Sequence, residues 1–318
     1  MKISTNKRAL KLINNEWTNK VLDYRRTKKL LSAYIKPLIN NLDTNDCIHA
    51  MFNQGRTLTG RLSSSTPLNL QNIPNRTEEG RQIRSLFIGK GDQKLLCFDF
   101  SQIELRLLAH FTQDKNLLFA YNSELDLHLN TACLLFDTQN PTKEQRFMGK
   151  TINFSIAYGS GPNNLSQALL EEGYCISVED CAKFLFKFYE SYPAIKEWKN
   201  QAISRAKFEN KITTICGRII TFKNLHSPRW ALMAFAEREV ISAIIQGSAA
   251  DIMKKCLIDL YVNYPDLEVI ATVHDEILAE FNANIDINAI KRVMENSVKL
   301  NKVPLIVESK ILNHWGEK

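Results

Sequence analysis

Long apolar runs are missing from this 318-residue sequence; none approaches the length of a membrane-spanning helix, which excludes an integral helical membrane protein. The start Met1-Lys2-Ile3-Ser4 lacks the apolar core of a secretory signal, and Glu16 and Asp23 argue against a transit peptide. Paired metal-binding spacings are missing too: the seven cysteines (Cys47, Cys97, Cys133, Cys175, Cys181, Cys216, Cys256) are odd in number and scattered. They read as reduced thiols, which excludes a disulfide scaffold or a zinc module and points to a cytosol-like compartment. No internal repeat or low-complexity tract occurs. The expected location is the cytoplasm, or the host cytoplasm for a viral source, with an organelle left open and secretion excluded. What is present, 44% hydrophobic and 24% charged residues, describes a soluble globular protein large enough for two or three subdomains.

The net charge of +7 is unevenly spread. Residues 1–36 carry ten Lys/Arg against Glu16 and Asp23, a net +8, while the remaining 31 basic and 32 acidic residues leave −1. The basic segment reads as two helices ending at Tyr34-Ile35-Lys36-Pro37, densest at Tyr24–Leu30. Such a run is either a solvated helix face or a surface that tracks phosphates.

Three stretches carry candidate chemistry. Leu95-Leu96-Cys97-Phe98 reads as a buried strand that delivers Asp99 to its end, and an amphipathic helix follows at once. Ser101-Gln102-Ile103-Glu104 has the spacing of a capping box, so Glu104 could simply tie off that helix. Leu267–Val273 is a second β-rich run; His274-Asp275-Glu276 and then Ile277–Phe281 place Asp275 near the tip of a hairpin. Two carboxylates on rigid strand ends can share a pair of divalent cations, as in-line phosphoryl transfer requires. In the third stretch Arg146, Lys150, Phe154 and Tyr158 recur every fourth residue and so form one stripe on a helix. Two cations followed by two aromatics suit a triphosphate beside a stacked base, although a solvated basic face has the same pattern.

These residues resemble a known family. Asp99-Phe100-Ser101-Gln102-Ile103-Glu104-Leu105-Arg106 is similar to motif A of the family A DNA polymerases, the group of bacterial DNA polymerase I. Arg146–Phe154 with Tyr158-Gly159 resembles motif B, and Val273-His274-Asp275-Glu276 resembles motif C. Thr59–Ser65 and Asn69–Pro74 resemble the segment ahead of motif A, with Leu68 as a one-residue insertion. Gln246–Asp251 resembles the helix ahead of motif C. Five motifs in the family's order cover nearly the whole chain.

The resemblance implies an α/β (α+β) right hand: an antiparallel palm sheet, helical fingers and an abbreviated helical thumb. Residues 1–46 would be the partial thumb, 47–113 the first part of the palm with motif A, 114–227 the fingers with motif B, and 228–318 the second part of the palm with motif C. Implied function is template-directed DNA synthesis from dNTPs on primer-template DNA with two Mg²⁺ ions, Mn²⁺ being able to substitute. Asp99, Asp275 and the Phe100 carbonyl would hold the ions, and Lys150 would join the two aspartates in catalysis. Gln102, Ile103, Glu104, His128, Arg146, Lys150, Phe154 and Tyr158 would form the nucleotide site. Arg25, Lys29, Arg61, Gln71, Asn72, Arg238, Gln246 and His274 would contact DNA, and Glu276 could assist as an acid. Ser242 stands where many members place Asn. Glu104 would also crowd the sugar 2′ position, which separates this reading from a single-subunit RNA polymerase, where a small residue stands there. A non-catalytic accessory subunit is the other alternative, against which intact Asp99, Asp275, Arg146 and Lys150 argue. No proofreading cluster is recognisable ahead of motif A, nor the family's long thumb helix pair, so a separate subunit supplying the missing thumb or an exonuclease is an expected partner.

The same pattern predicts further elements. Two sheet strands are expected within 84–98, helices over 178–192, 195–208, 228–264 and 285–300, a hairpin over 212–222, and an edge strand over 304–310. A helix is expected to open at Glu124.

Overall fold

The computed structural model describes residues 5–65, 67–75, 77–123, 125–281 and 285–318, so Met1–Ser4 and the expected helix start at Glu124 lie outside the described residues. Helices α1 (Lys7–Ile13) and α2 (Glu16–Leu30) begin at Asn6 and Asn15, whose side chains accept from the first turns; Asn15 and Thr18 close a reciprocal capping box. The helix does not stop at Pro37. It passes through a π turn at Leu31–Ile35 into α3 (Lys36–Asn40). Proline lacks the N–H that a regular turn would need, and the wider turn before it absorbs the missing bond.

Short strands β1 (Phe52–Asn53) and β2 (Ser63–Ser64) pair antiparallel. Leu68, the apparent insertion, is fully buried with Leu70 and Ile73, so it is a core residue. Helix α4 (Glu78–Arg84) starts at Thr77, and then only one strand forms where two were expected, β3 (Lys94–Phe100). Gly89 and Gly91 (φ +60°) turn the chain, leaving Ile88 as a single bridge to His314.

Helices α5 (Ile103–Thr112), α6 (Lys115–Asn122), α7 (Leu127–Phe136), α8 (Lys143–Ala157), α9 (Pro162–Glu171) and α10 (Val178–Ser191) follow β3. Helix α11 (Pro193–Glu209) leads into hairpin β4 (Lys211–Thr213) and β5 (Ile219–Thr221), as expected. The expected long helix is α12 (Trp230–Asn263). Strands β6 (Glu268–Val273) and β7 (Glu276–Phe281) form the predicted hairpin around Asp275. Helix α13 (Ile287–Glu295) is shorter than expected, and the last strand β8 (Val307–Leu312) is an edge strand, displaced towards the C-terminus of its predicted range. Glu295, at the end of α13, accepts from the Val307 N–H at 2.8 Å and so fixes where β8 begins.

The main sheet is antiparallel with order β6-β7-β3-β8, and β3 is interior. Strand residues alternate in facing. Leu96, Phe98 and Phe100 point into a large core shared with Ile245, Ile252 and Ile290, whereas Leu95 and Cys97 point to the other side, against Leu70, Ile73 and Trp315. Full burial of each such side chain contributes about 1.5–3 kcal/mol, so β3 is anchored from both faces. Among the described residues no helix is long and apolar enough to cross a membrane.

Helices α7 and α8 cross at Gly149, where an added Cβ would lie 2.6 Å from the His128 carbonyl oxygen and 3.1 Å from the Ala132 nitrogen. Both neighbours are backbone, so the helices would have to move apart. Gly149→Ala is therefore expected to destabilise the protein by about 1–3 kcal/mol, measured by urea unfolding. Unchanged stability would show that the crossing is slack.

Candidate active site

Alternation along β3 puts Asp99 on the Cys97 side, and the register places it directly opposite Glu276 of β7. The Phe100 N–H donates to the Asp275 carbonyl oxygen at 3.2 Å, which stitches the β6–β7 turn to the end of β3. His274 in that turn has a left-handed backbone (φ +59°). Backbone pairing thus forces carboxylates at positions 99, 275 and 276 together. The Lys318 ammonium lies between two of them, donating to Asp99 at 2.8 Å and Glu276 at 2.7 Å. Glu276 is buried and also accepts from the Trp315 indole N–H at 2.8 Å, so both of its oxygens are engaged. Burial, with the Asp99 charge next, pushes the Asp275 carboxyl up to about 6.

Asp99 and Asp275 face a cavity of about 910 Å³ whose opposite wall is α8. Thr142 and Gln145 cap this helix reciprocally. Its stripe lies where the spacing predicts: Arg146, Lys150, Phe154 and the C-cap residue Tyr158 all line the cavity. The rings of Phe154 and Tyr158 stack with centroids 6.5 Å apart, and His128 lies 5.8 Å from Phe154. Arg146 donates to Asp126 at 2.7 Å, and Asp126 also caps α7. Burial pulls the His128 imidazole down to about 4, so it is neutral near pH 7. Its Nδ1 is 3.0 Å from the Asn153 amide nitrogen, and the Asn153 oxygen accepts from Thr131 at 3.0 Å.

The expected capping box at 101–104 does not form. Gln102, left-handed at φ +53°, occupies the cap position of α5 without a side-chain cap bond. A left-handed cap residue turns the Ser101 side chain away from the first turn, and its N–H pairs with the Ile306 carbonyl at 2.9 Å instead. Glu104 is free to turn inwards, where it is 5% exposed and ion-paired with Arg61. Its Oε2 is buried without a hydrogen-bond partner among the described residues. The Tyr158 hydroxyl is raised by burial first and then by the Glu104 charge, which places the two side by side.

Other expected site residues divide. Gln102 and Ile103 line the cavity, but the Gln102 oxygen accepts from Tyr121 at 3.1 Å and the Ile103 side chain is buried. Arg61, Gln71 and His274 also line it; Gln71 is held by the Ser64 N–H (3.1 Å) and the Thr272 carbonyl (3.2 Å). Arg25, Lys29, Asn72, Arg238 and Gln246 stand outside the lining; Arg25 and Lys29 are exposed on α2. Sequence reasoning missed Lys318, Trp315, Asp126 and Asn153. Asp126 carried a readable helix-cap signal ahead of the apolar run from Leu127. Lys318 carried none, since it meets Asp99 across 219 positions.

Among the described residues no group of three or more His, Cys, Asp or Glu side chains is arranged to hold a metal ion. Two carboxylates beside a carbonyl suit Mg²⁺, which keeps waters and takes its remaining ligands from substrate phosphates. The lysine ammonium between Asp99 and Glu276 marks the same place as favourable for a cation.

The profile of a family described as DNA polymerase family A matches residues 1–317. DNA polymerase I of Caldicellulosiruptor bescii is 38% identical over 307 residues, covering 93% of this chain and 35% of that protein. DNA polymerase I of Geobacillus stearothermophilus is 37% identical over 314 residues, covering 95% and 35%. The POL domain of Pol1 from M. smegmatis, in complex with DNA primer-template and dNTP, superposes with a TM-score of 0.91 at 31% identity. That match covers 98% of this chain and 56% of the other, so the right-hand fold expected from the motifs is the one found. The chain spans about a third of the length of the curated relatives it matches.

The raised Asp275 pKa fixes a pH dependence in the metal-free protein. The folded value, about 6, lies above the ordinary carboxyl value of 3.8. The folded state therefore binds the proton more tightly, and this stabilisation is complete below the lower value and lost as pH rises through the upper one. In EDTA, Asp275→Asn should be more stable than wild type at pH 7.5 and lose that advantage near pH 4, read by denaturant midpoints. An advantage that does not change with pH would show that Asp275 is not perturbed.

Proposed function

This chain belongs to DNA polymerase family A, and from that premise we propose that it is a DNA-directed DNA polymerase, adding dNMP from a dNTP to a primer 3′-hydroxyl with release of pyrophosphate. The observation that carries the proposal is the cavity in which strand-end Asp99 and Asp275 face the Arg146–Lys150–Phe154–Tyr158 stripe of α8. Cations facing a carboxylate pair form a clamp for a triphosphate, and the aromatic end of the stripe offers a surface for a base. The solved relative described with DNA primer-template and dNTP supports the same ligands here.

Asp99, Asp275 and the Phe100 carbonyl would hold two Mg²⁺ ions, which when bound lower the pKa of the attacking hydroxyl and neutralise the triphosphate. Arg146 exchanges Asp126 for phosphate oxygens, and Lys150, exposed on the same face, adds a second cation. Neutral His128 neighbours both and can donate one N–H to a phosphate without adding charge. Phe154 and Tyr158 stack with the base and its template position. Glu104, held by Arg61, fills the space a 2′-hydroxyl would need. Arg25 and Lys29 suit duplex phosphates, and Arg61, Gln71, Asn72, Arg238, Gln246 and His274 suit the primer and template near the growing end. In this reading residues 1–46 are the thumb segment, 47–113 and 228–318 the palm, and 114–227 the fingers.

Primer extension tests the proposal. Asp99→Asn and Asp275→Asn should each abolish nucleotide addition while DNA binding, followed by fluorescence anisotropy, stays near wild type. Extension within about tenfold of wild type by either variant would remove the carboxylate pair from the mechanism. DNA binding without any extension by the wild-type chain in Mg²⁺ or Mn²⁺ would favour the non-catalytic alternative.

A further inference from the structure

Outside the cavity, a buried charge pair connects the β4–β5 hairpin to α12. Asp251 of α12, 6% exposed, is ion-paired with Arg218 and also accepts from the Thr214 hydroxyl. Arg218 sits where β5 leaves its turn, and its other guanidinium nitrogen donates to the Thr59 carbonyl oxygen at 3.1 Å. Thr59 lies inside the tight turn, opened by Thr57, that leads to Arg61. Gly60 has φ +72°, and a Cβ there would coincide with the Arg218 guanidinium at 0.9 Å, so the arginine lies flat against a bare backbone. Within the turn Gly60 N–H donates to the Thr57 carbonyl at 3.1 Å, and the Thr57 hydroxyl donates to the Arg61 carbonyl at 2.8 Å. Lys254, one helical turn beyond Asp251, donates to the Gln54 carbonyl at 3.0 Å. The segment 54–61 has no regular secondary structure, and α12 and the hairpin hold it at both ends. Its far end is Arg61, paired with Glu104 at the cavity wall.

We propose that Arg218, fixed by Asp251, is a positioning residue for sugar selection: it holds the Thr59–Arg61 turn so that Arg61 keeps Glu104 against the nucleotide's 2′ position. The proposal rests on the reading of Glu104 given above. The pair is suited to this role because the buried Asp251 carboxylate would be left uncompensated if Arg218 moved away, which is costly. Glu104 has one oxygen paired with Arg61 and the other buried without a hydrogen-bond partner among the described residues, so loss of Arg61 removes the charged contact that holds the side chain.

The test is a double-mutant cycle on the ratio of deoxyribonucleotide to ribonucleotide kcat/KM in primer extension. The variants are Arg218→Lys, the charge-removing pair Arg218→Met/Asp251→Asn, Glu104→Ala, and each combined with Glu104→Ala. Lysine keeps the charge beside Asp251 and guards against simple misfolding, but it cannot reach Asp251 and Thr59 together in the planar fork. Both Arg218 variants should lower the ratio by roughly three- to tenfold and leave it unchanged once Glu104 is alanine. Hydrogen exchange of the amides in 54–61 should accelerate in both. If Glu104→Ala lowers the ratio and the Arg218 variants slow both sugars equally, the positioning role is overturned and the Glu104 reading stands. If Glu104→Ala leaves the ratio at wild type, the Glu104 reading itself fails and takes this proposal with it.

Discussion

The site depends on backbone pairing that overrides like-charge repulsion. Asp99, Asp275 and Glu276 are brought together because β3 pairs with β7 from Lys94 to Asp99 and the Phe100 N–H holds the turn at Asp275. Side chains alone would not choose this arrangement, since burial and neighbouring negative charge push Asp275 well above its ordinary value. The sheet can impose it because β3 is fastened from both faces, by Phe98 and Phe100 below and by the Leu95–Cys97 side above. The strain is then relieved locally by Lys318, whose ammonium sits between Asp99 and Glu276, and by Trp315, which donates to Glu276.

That arrangement was legible in part. A short apolar run ending in Asp99 and a β-rich hairpin tipped by Asp275 are local patterns, and the structure realises both. So is the four-residue spacing of the α8 stripe. The failures come where local signals compete with distant partners. Ser101-Gln102-Ile103-Glu104 satisfies the capping pattern, yet Arg61, 43 positions away, takes the glutamate. A second strand was expected before β3, but the glycine turn at 89–91 breaks the run and leaves Ile88 as a single bridge to His314. Lys318 and Trp315 could not be read at all, because their meaning lies only in the strands they close over.

Helix α8 shows how packing turns a stripe into a site. Gly149 lets α7 approach closely enough for His128 to reach the cavity, and Asn153 on the inner face of α8 holds the ring at Nδ1. The same helix therefore presents Arg146 and Lys150 outwards while fixing a neutral imidazole beside them. The residue types on the stripe were visible in sequence, but the inward pair Gly149 and Asn153 supplies the geometry. Neither residue type announces chemistry by itself.

Burial sorts the charge pairs around the cavity by function. Arg146 and Asp126 are 45% and 36% exposed at their side chains, so their pair is worth about 0–1 kcal/mol and separates readily. Arg61–Glu104 and Arg218–Asp251 each contain a carboxylate that is about 5% exposed, so parting it from its arginine leaves a buried charge and costs more than parting the exposed pair. One arginine is thus free to change partners, whereas two are committed to holding a wall. In the proposed function a substrate between them would meet an exposed cation on the α8 side and a fixed carboxylate on the α5 side. In the proposed polymerase such a division would allow a tight grip on phosphates without loosening Glu104.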